Sequence, residues 1–253
     1  MKVKRIGLLF VLAALNLALL PACSSSPGQP AINSEPIAPN QILDFDTLYA
    51  QNCAGCHGGQ GRGGAAIALA NPVYLAIADE NAVLNVVANG VRGTSMPAFA
   101  QRAGGMLTEQ QIDLIASGIF SRWGREQFLD GAHPPSYAAK AAGNVDHGQL
   151  AFGTYCATCH GSEGTGTAKG SAITNDSFLA LVSDQGLRTI VIAGRPELGA
   201  PDWRNNVPGH PMTDQEITDV VAWLVSRRAQ NPGQPYSPVN HAQYSEKQDA
   251  NQH

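Results

Sequence analysis

At 253 residues, the chain is long enough for one large domain or two small ones. Only 14% of the residues are charged and the formal net charge is −4, which argues against nucleic-acid binding because no basic stripe is present to neutralise phosphates. The hydrophobic content of 43% is sufficient for small cores, and the five cysteines need a separate explanation.

The N-terminus has the pattern of an export signal over residues 1–22. Lys2, Lys4 and Arg5 form a positively charged region, and the apolar segment 6–20 follows it. A transmembrane helix needs about 20 apolar residues, so this segment is too short to be one. We therefore expect it to direct export.

The end of this signal, Leu20-Pro21-Ala22-Cys23, resembles the lipobox of bacterial lipoproteins, although Pro21 departs from the usual residue. We expect Cys23 to carry the lipid that holds the protein to a membrane in the bacterial periplasm. The alternative is an ordinary secretory leader followed by a stray thiol. The serine that follows this cysteine, Ser24, is similar to the residue found there in lipoproteins sent on to an outer membrane, which favours that membrane. The Ser- and Pro-rich residues 23–41 indicate a flexible tether.

The pattern C-x-x-C-H occurs twice, at 53–57 and 156–160. It is the attachment signature of c-type haem: two thiols one helical turn apart add to the haem vinyl groups, and the next residue is the proximal iron ligand. Paired zinc motifs usually lie about 15–20 residues apart, and a thioredoxin-like motif would follow a strand. The sequence predicts two haem c groups, attached through Cys53, Cys56, Cys156 and Cys159, with His57 and His160 as iron ligands.

Helical signals surround the first motif. Apolar spacing predicts a helix over 44–53, and Asn71-Pro72 opens another through Ala88, with Gly90 as its C-terminal cap. A capping box beginning at Thr108 predicts a helix to about Trp123. The glycine-rich loop 58–64 matches G-x-G-x-x-G, but without a preceding strand it does not predict a dinucleotide site.

Met96 follows His57 by 39 positions, in a polar loop that Pro97 stiffens. A thioether is a soft ligand for haem iron and raises its reduction potential. We expect Met96 to be the sixth ligand of the first iron, with a buried gap-filling methionine as the alternative. Met106, beside Leu107, is expected to be a packing residue.

The second half of the chain repeats the first. The offset between the two motifs is 103 residues; it becomes 104 between Asn71 and Asn175, and 105 between the capping boxes at Thr108 and Thr213. One-residue slips of this kind indicate a duplicated architecture.

A compensating exchange supports the duplication. Phe45 in the first repeat corresponds to Gly148 in the second, and Gly118 corresponds to Trp223. If these helices cross, each crossing pairs one aromatic residue with one glycine and conserves volume. We therefore predict contacts between Phe45 and Gly118 and between Gly148 and Trp223.

Each repeat resembles a class I cytochrome c domain, with an N-terminal helix, C-x-x-C-H-G, a middle helix, a Met-Pro loop and a terminal helix. The resemblance implies an all-α fold of two tandem domains around haem, with electron transfer as the activity. It covers 42–125 and 144–229, which leaves 126–143 as a linker and 230–253 as a polar disordered tail. The expected partners are redox proteins, namely an oxidase, a dehydrogenase or a quinol-oxidising complex.

The second repeat departs from the pattern because Ala200 stands at the position of Met96. Three interpretations remain open: Met212 reaches the iron through a rearranged loop, His210 binds instead, or the iron is five-coordinate. Met212 also corresponds to Leu107, which favours a packing role.

Two classes of function follow. The first is a membrane-tethered periplasmic dihaem electron carrier with no substrate chemistry of its own. The alternative is a dihaem enzyme or sensor subunit whose second haem binds peroxide or a diatomic gas. A structural subunit with vestigial haems fits less well, since both attachment motifs are intact.

Overall fold

The structure is a computed structural model that describes residues 37–125, 128–129 and 131–229. The predicted signal, Cys23, most of the predicted tether and the predicted tail lie outside the described residues. Those from residue 39 onward belong to one compact unit.

Helices dominate both repeats. The α-helices of the first repeat are Phe45–Asn52, Ala54–His57, Pro72–Ile77, Glu80–Asn89 and Glu109–Trp123, with short 3-10 helices at Pro39–Gln41 and Gln101–Ala103. Those of the second are Val145–Tyr155, Ala157–His160, Asp176–Leu181, Asp184–Ala193 and Asp214–Ser226, with a 3-10 helix at Pro196–Leu198.

The all-α prediction is confirmed, since β-structure in the described part of the chain is limited to two isolated β-bridges. None of the helices that the structure describes combines the length and the apolar character needed to cross a membrane.

The predicted helix starts are confirmed in both repeats. The Thr108 and Thr213 side chains accept hydrogen bonds from the backbone N–H three residues on, and Gln111 and Glu216 complete the two capping boxes. Asn175 caps Asp176–Leu181 in the same way as its counterpart in the first repeat, by accepting from two backbone N–H groups.

The prediction of one middle helix from Pro72 to Ala88 is wrong. The chain forms two helices there, because the Asp79 side chain accepts a hydrogen bond from the Ala82 N–H and starts a new helix. Ser183 interrupts the second repeat at the equivalent point. A short polar side chain that bonds to nearby backbone offers the chain an alternative to continuing a helix.

The predicted aromatic–glycine crossings are confirmed. A side-chain carbon added at Gly118 would lie 2.1 Å from Phe45 Cδ2, and one added at Gly148 would lie 2.9 Å from Trp223 Cβ. The second crossing is closer still at the backbone, with Asp219 O at 2.0 Å from the added carbon. In each repeat, the first helix and the last helix therefore pack closely at a position where one of them has a glycine and so no side chain.

A buried arginine attaches the segment before the second repeat to that repeat. The Arg188 guanidinium donates to the backbone carbonyls of Ser136 and Tyr137, to the Thr218 hydroxyl and to the Asp214 carboxylate. Its side chain is 3% exposed. This network makes residues 136–137 part of the surface of the second repeat, although the sequence indicated a linker.

The two repeats contact each other directly. The buried Asn71 side chain donates to the Ala193 carbonyl at 2.9 Å. Arg195 Nη2 donates to the Gly64 carbonyl at 3.0 Å. The glycine-rich loop of the first repeat is thereby joined to the loop that contains Ala200.

Candidate functional site

Each C-x-x-C-H motif forms a single helical turn after the first helix of its repeat. The Cys53 N–H donates to the Tyr49 carbonyl at 2.9 Å, and the Cys156 N–H makes the same bond to Phe152. The next turn closes when the histidine N–H donates to the carbonyl of the first cysteine, at 3.0 Å in both repeats. Both thiols and the imidazole are therefore presented from one turn, as attachment and ligation of one haem require.

A backbone carbonyl fixes each motif histidine. His57 Nδ1 lies 2.9 Å from the Ile67 oxygen, and His160 Nδ1 lies 2.7 Å from the Ser171 oxygen. A carbonyl can only accept, so Nδ1 carries the proton and the lone pair of Nε2 is free for a metal. This is the usual arrangement of an iron-ligating histidine. Sequence reasoning did not find these two carbonyls, since no side-chain pattern marks them.

Glycines bring the following loop against the motif. A side-chain carbon at Gly64 would lie 2.1 Å from the Cys56 carbonyl oxygen, and one at Gly170 would lie 2.7 Å from that of Cys159. The loop after the first motif follows a helix, which agrees with the rejection of a dinucleotide site. Its glycines allow the close approach that places the Ile67 carbonyl on the histidine.

Burial tunes the titratable groups of the motifs. It raises the pKa of Cys53 to about 11 and that of Cys156 to about 12, so both thiols are protonated at neutral pH before attachment. Burial also lowers the pKa of His57; the bond to Ile67 opposes this, and the charge of Arg195 adds to it. The neutral imidazole, the form that binds a metal, is thus favoured.

Met96 lies half-buried in the loop after the middle helices. Its carbonyl accepts from the Val91 N–H at 3.0 Å, and its own N–H donates to the Thr94 hydroxyl at 3.2 Å. Met106 is 79% exposed, so the prediction that it is a packing residue is wrong.

The second repeat distributes its candidate ligands differently. The backbone of Ala200 forms an isolated β-bridge with that of Arg195. Met212 is 2% exposed and belongs to the hydrophobic core, where its N–H donates to the Trp203 carbonyl at 2.9 Å. His210 is exposed, in a turn where its N–H donates to the Val207 carbonyl.

Comparison with known proteins gives two family matches. Residues 40–117 match the model for cytochrome c oxidase, cbb3-type, subunit III, and residues 145–228 match the model for cytochrome c. The protein is a tandem dihaem c-type cytochrome. Its two cytochrome c domains indicate two covalently bound haem c groups, and the motif residues fit them, because each histidine has its Nε2 free beside a pair of thiols.

A curated relative of this cytochrome is the cbb3-type cytochrome c oxidase subunit CcoP of Azospirillum sp. (strain B510), 30% identical over 131 residues. The match covers 47% of this chain and 39% of the relative, so the chain spans about two fifths of that protein's length.

Solved structures give weaker likenesses. The Kuenenia stuttgartiensis reducing HAO-like protein complex Kustc0457/Kustc0458 is 17% identical, with 73% of this chain and 96% of that chain covered and a TM-score of 0.40. Thiosulfate dehydrogenase (TsdBA) from Marichromatium purpuratum is 20% identical, with coverages of 85% and 52% and a TM-score of 0.31. Similarity at these TM-scores supports no conclusion about function.

Proposed function

We propose that this cytochrome transfers electrons between redox proteins in the bacterial periplasm, tethered to a membrane through a lipid on Cys23. The observation that carries the proposal is the duplicated site, with a motif histidine bonded to a backbone carbonyl in each of two repeats that contact each other. Haem c supplies one-electron chemistry when bound, so two such sites in repeats that contact each other suit a carrier. An oxidase, a dehydrogenase or a quinol-oxidising complex is the proposed partner.

In this proposal the motif residues and Met96 have defined roles. The four motif cysteines would hold the haems, and His57 and His160 would bind the irons. Met96 would be the second protein ligand of the first iron, which would raise its reduction potential. The low net charge of the chain suits transient docking.

Two methionines of the first repeat provide a matched test. Met96 and Met106 lie ten positions apart, but only Met106 is largely exposed. We expect Met96→Leu to lower the potential of the first haem and to open its ferrous iron to carbon monoxide, whereas Met106→Leu changes neither. The measurements are a redox titration and an optical carbon monoxide titration of the protein with both haems attached. Equal behaviour of the two variants would remove Met96 from the ligand set.

Carrier function is tested on the same preparations. The pyridine haemochrome assay should give two haems per chain, and both should reduce and reoxidise reversibly. A haem content of one per chain, or a haem that no potential reduces reversibly, would overturn the dihaem carrier.

The tether requires its own experiment. Cys23→Ser should move the protein from the membrane fraction to the soluble periplasmic fraction without changing the haem content. Separation of inner and outer membranes of cells with the unaltered protein then tests the preference that Ser24 suggests. A Cys23→Ser protein that stays in the membrane fraction would contradict lipid anchoring.

A further inference from the structure

The loop that holds Met96 in the first repeat has a close backbone counterpart in the second. The Val91 N–H donates to the Met96 carbonyl, and the Arg195 N–H donates to the Ala200 carbonyl, both at 3.0 Å. In each repeat the residue before the donor is a glycine with φ +66°, at Gly90 and Gly194.

The close approach at these glycines is also shared. A side-chain carbon at Gly90 would lie 2.7 Å from the Met96 oxygen, and one at Gly194 would lie 2.8 Å from the Ala200 oxygen. The sequence alignment of Ala200 with Met96 therefore holds in the backbone. The second repeat presents a methyl group where the first presents a thioether.

Met212 has the structural role of Leu107. The Leu107 N–H donates to the Phe99 carbonyl at 2.8 Å, as the Met212 N–H does to the Trp203 carbonyl, and each residue immediately precedes a capping-box threonine. The two side chains are 6% and 2% exposed. An aliphatic residue is sufficient at this position in the first repeat, so burial in the core accounts for Met212.

The Met212 sulfur already has a polar neighbour. Asn206 Nδ2 lies 3.7 Å from it, within the range of a hydrogen bond to sulfur. The Met212 side chain is therefore engaged both in this contact and in core packing.

The charged residues of the Ala200 loop are committed to one another. Arg195 pairs with Glu197, and Arg204 pairs with Asp202 while its guanidinium lies 4.9 Å from the centre of the Trp203 ring. Peroxide chemistry needs an acid–base group that is free to move a proton. These four residues are held in ion pairs, so the loop suits a diatomic ligand that needs no proton transfer better than it suits peroxide.

We propose that the second haem iron, bound by His160, receives no sixth ligand from the described residues of the second repeat, 131–229, and binds a small uncharged diatomic molecule. The inference rests on the proposed dihaem function. It assigns the two repeats different tasks: the first, closed by Met96, handles electrons alone, and the second also binds a ligand.

Carbon monoxide is the probe. The dithionite-reduced protein with both haems attached should bind one equivalent, and Met212→Leu, which copies the first repeat, should leave stoichiometry and affinity unchanged. Ala200→Met, which restores the thioether, should abolish this binding and raise the potential of the second haem. His210→Ala should behave as the unaltered protein.

Unaltered protein that ignores carbon monoxide would overturn the proposal. Uptake gained only in Met212→Leu, or only in His210→Ala, would then identify that residue as the ligand. The haem content distinguishes failure of the dihaem function from failure of the open site. Fewer than two haems per chain would contradict the dihaem function. Two haems per chain without carbon monoxide uptake would contradict only the open second site.

Discussion

The second repeat offers two glycines on one helix whose replacement by alanine should have opposite effects. Gly148 and Gly153 both lie in Val145–Tyr155. A side-chain carbon at Gly148 would lie 2.0 Å from the Asp219 backbone oxygen, whereas nothing lies within 4 Å of one at Gly153. The two substitutions share the same gain in helix propensity, about 1 kcal/mol. They differ only in what the added methyl group meets.

The magnitude follows from the geometry. Ordinary contact begins near 3.4 Å, so the helices at Gly148 must separate by roughly 1.4 Å. Overpacking of this kind costs about 1–3 kcal/mol, and a backbone obstacle has no rotamer to change. After the propensity gain, we expect Gly148→Ala to reduce the free energy of unfolding by up to about 2 kcal/mol and Gly153→Ala to increase it by about 0.5–1 kcal/mol.

The assay is guanidinium denaturation of the protein with both haems attached, followed by far-ultraviolet circular dichroism and by haem absorbance. Equal free energies for the two variants, or a stabilised Gly148→Ala, would refute the crossing as the origin of the glycine. A double-mutant cycle tests the corresponding crossing in the first repeat. Gly118→Ala should be less harmful when combined with Phe45→Leu, because Phe45 Cδ2 lies 2.1 Å from the added carbon.

Two further predictions concern charge. Burial would raise the pKa of Asp214, but hydrogen bonds from Ser136 and the charge of Arg188 hold that pKa below its usual value. Its stabilising contribution is complete above the unfolded-state pKa of about 3.9 and is lost as pH falls through the lower folded-state pKa. Asp214→Asn should therefore flatten the pH dependence of unfolding in acid, and an unchanged slope would contradict this. Arg195→Gln should lower the potential of the first haem, because a positive charge beside that site favours its reduced form. Redox titration with Arg204→Gln as control checks this, and an equal or higher potential would count against it.

Features that depend on local sequence were predicted well. The motif turns, the capping boxes and the duplication each rest on residues a few positions apart or on a constant offset. The aromatic–glycine exchange was predicted across the repeat because Phe45 and Trp223 face glycines at corresponding positions, and the structure confirms both contacts.

Features that depend on distant partners were missed. The contacts of Arg188 were not predicted, because its partners lie 26 to 52 positions away. The contact between repeats, from Asn71 to the Ala193 carbonyl, spans 122 positions and involves a backbone group that no sequence pattern marks. Asp79 was missed for a local reason, since an aspartate fits the polar face of a helix as well as a cap.

The bond from Arg195 to the Gly64 carbonyl has a thermodynamic consequence. It joins the chain segment that leads to Ala200 to the loop that carries the Ile67 carbonyl onto His57. If a ligand at the second iron displaces Arg195, the environment of the first haem changes with it. Linkage is reciprocal, so the oxidation state of the first haem would then alter the affinity of the second for its ligand by the same factor. Ligand binding at the second haem would then change the reduction potential of the first haem.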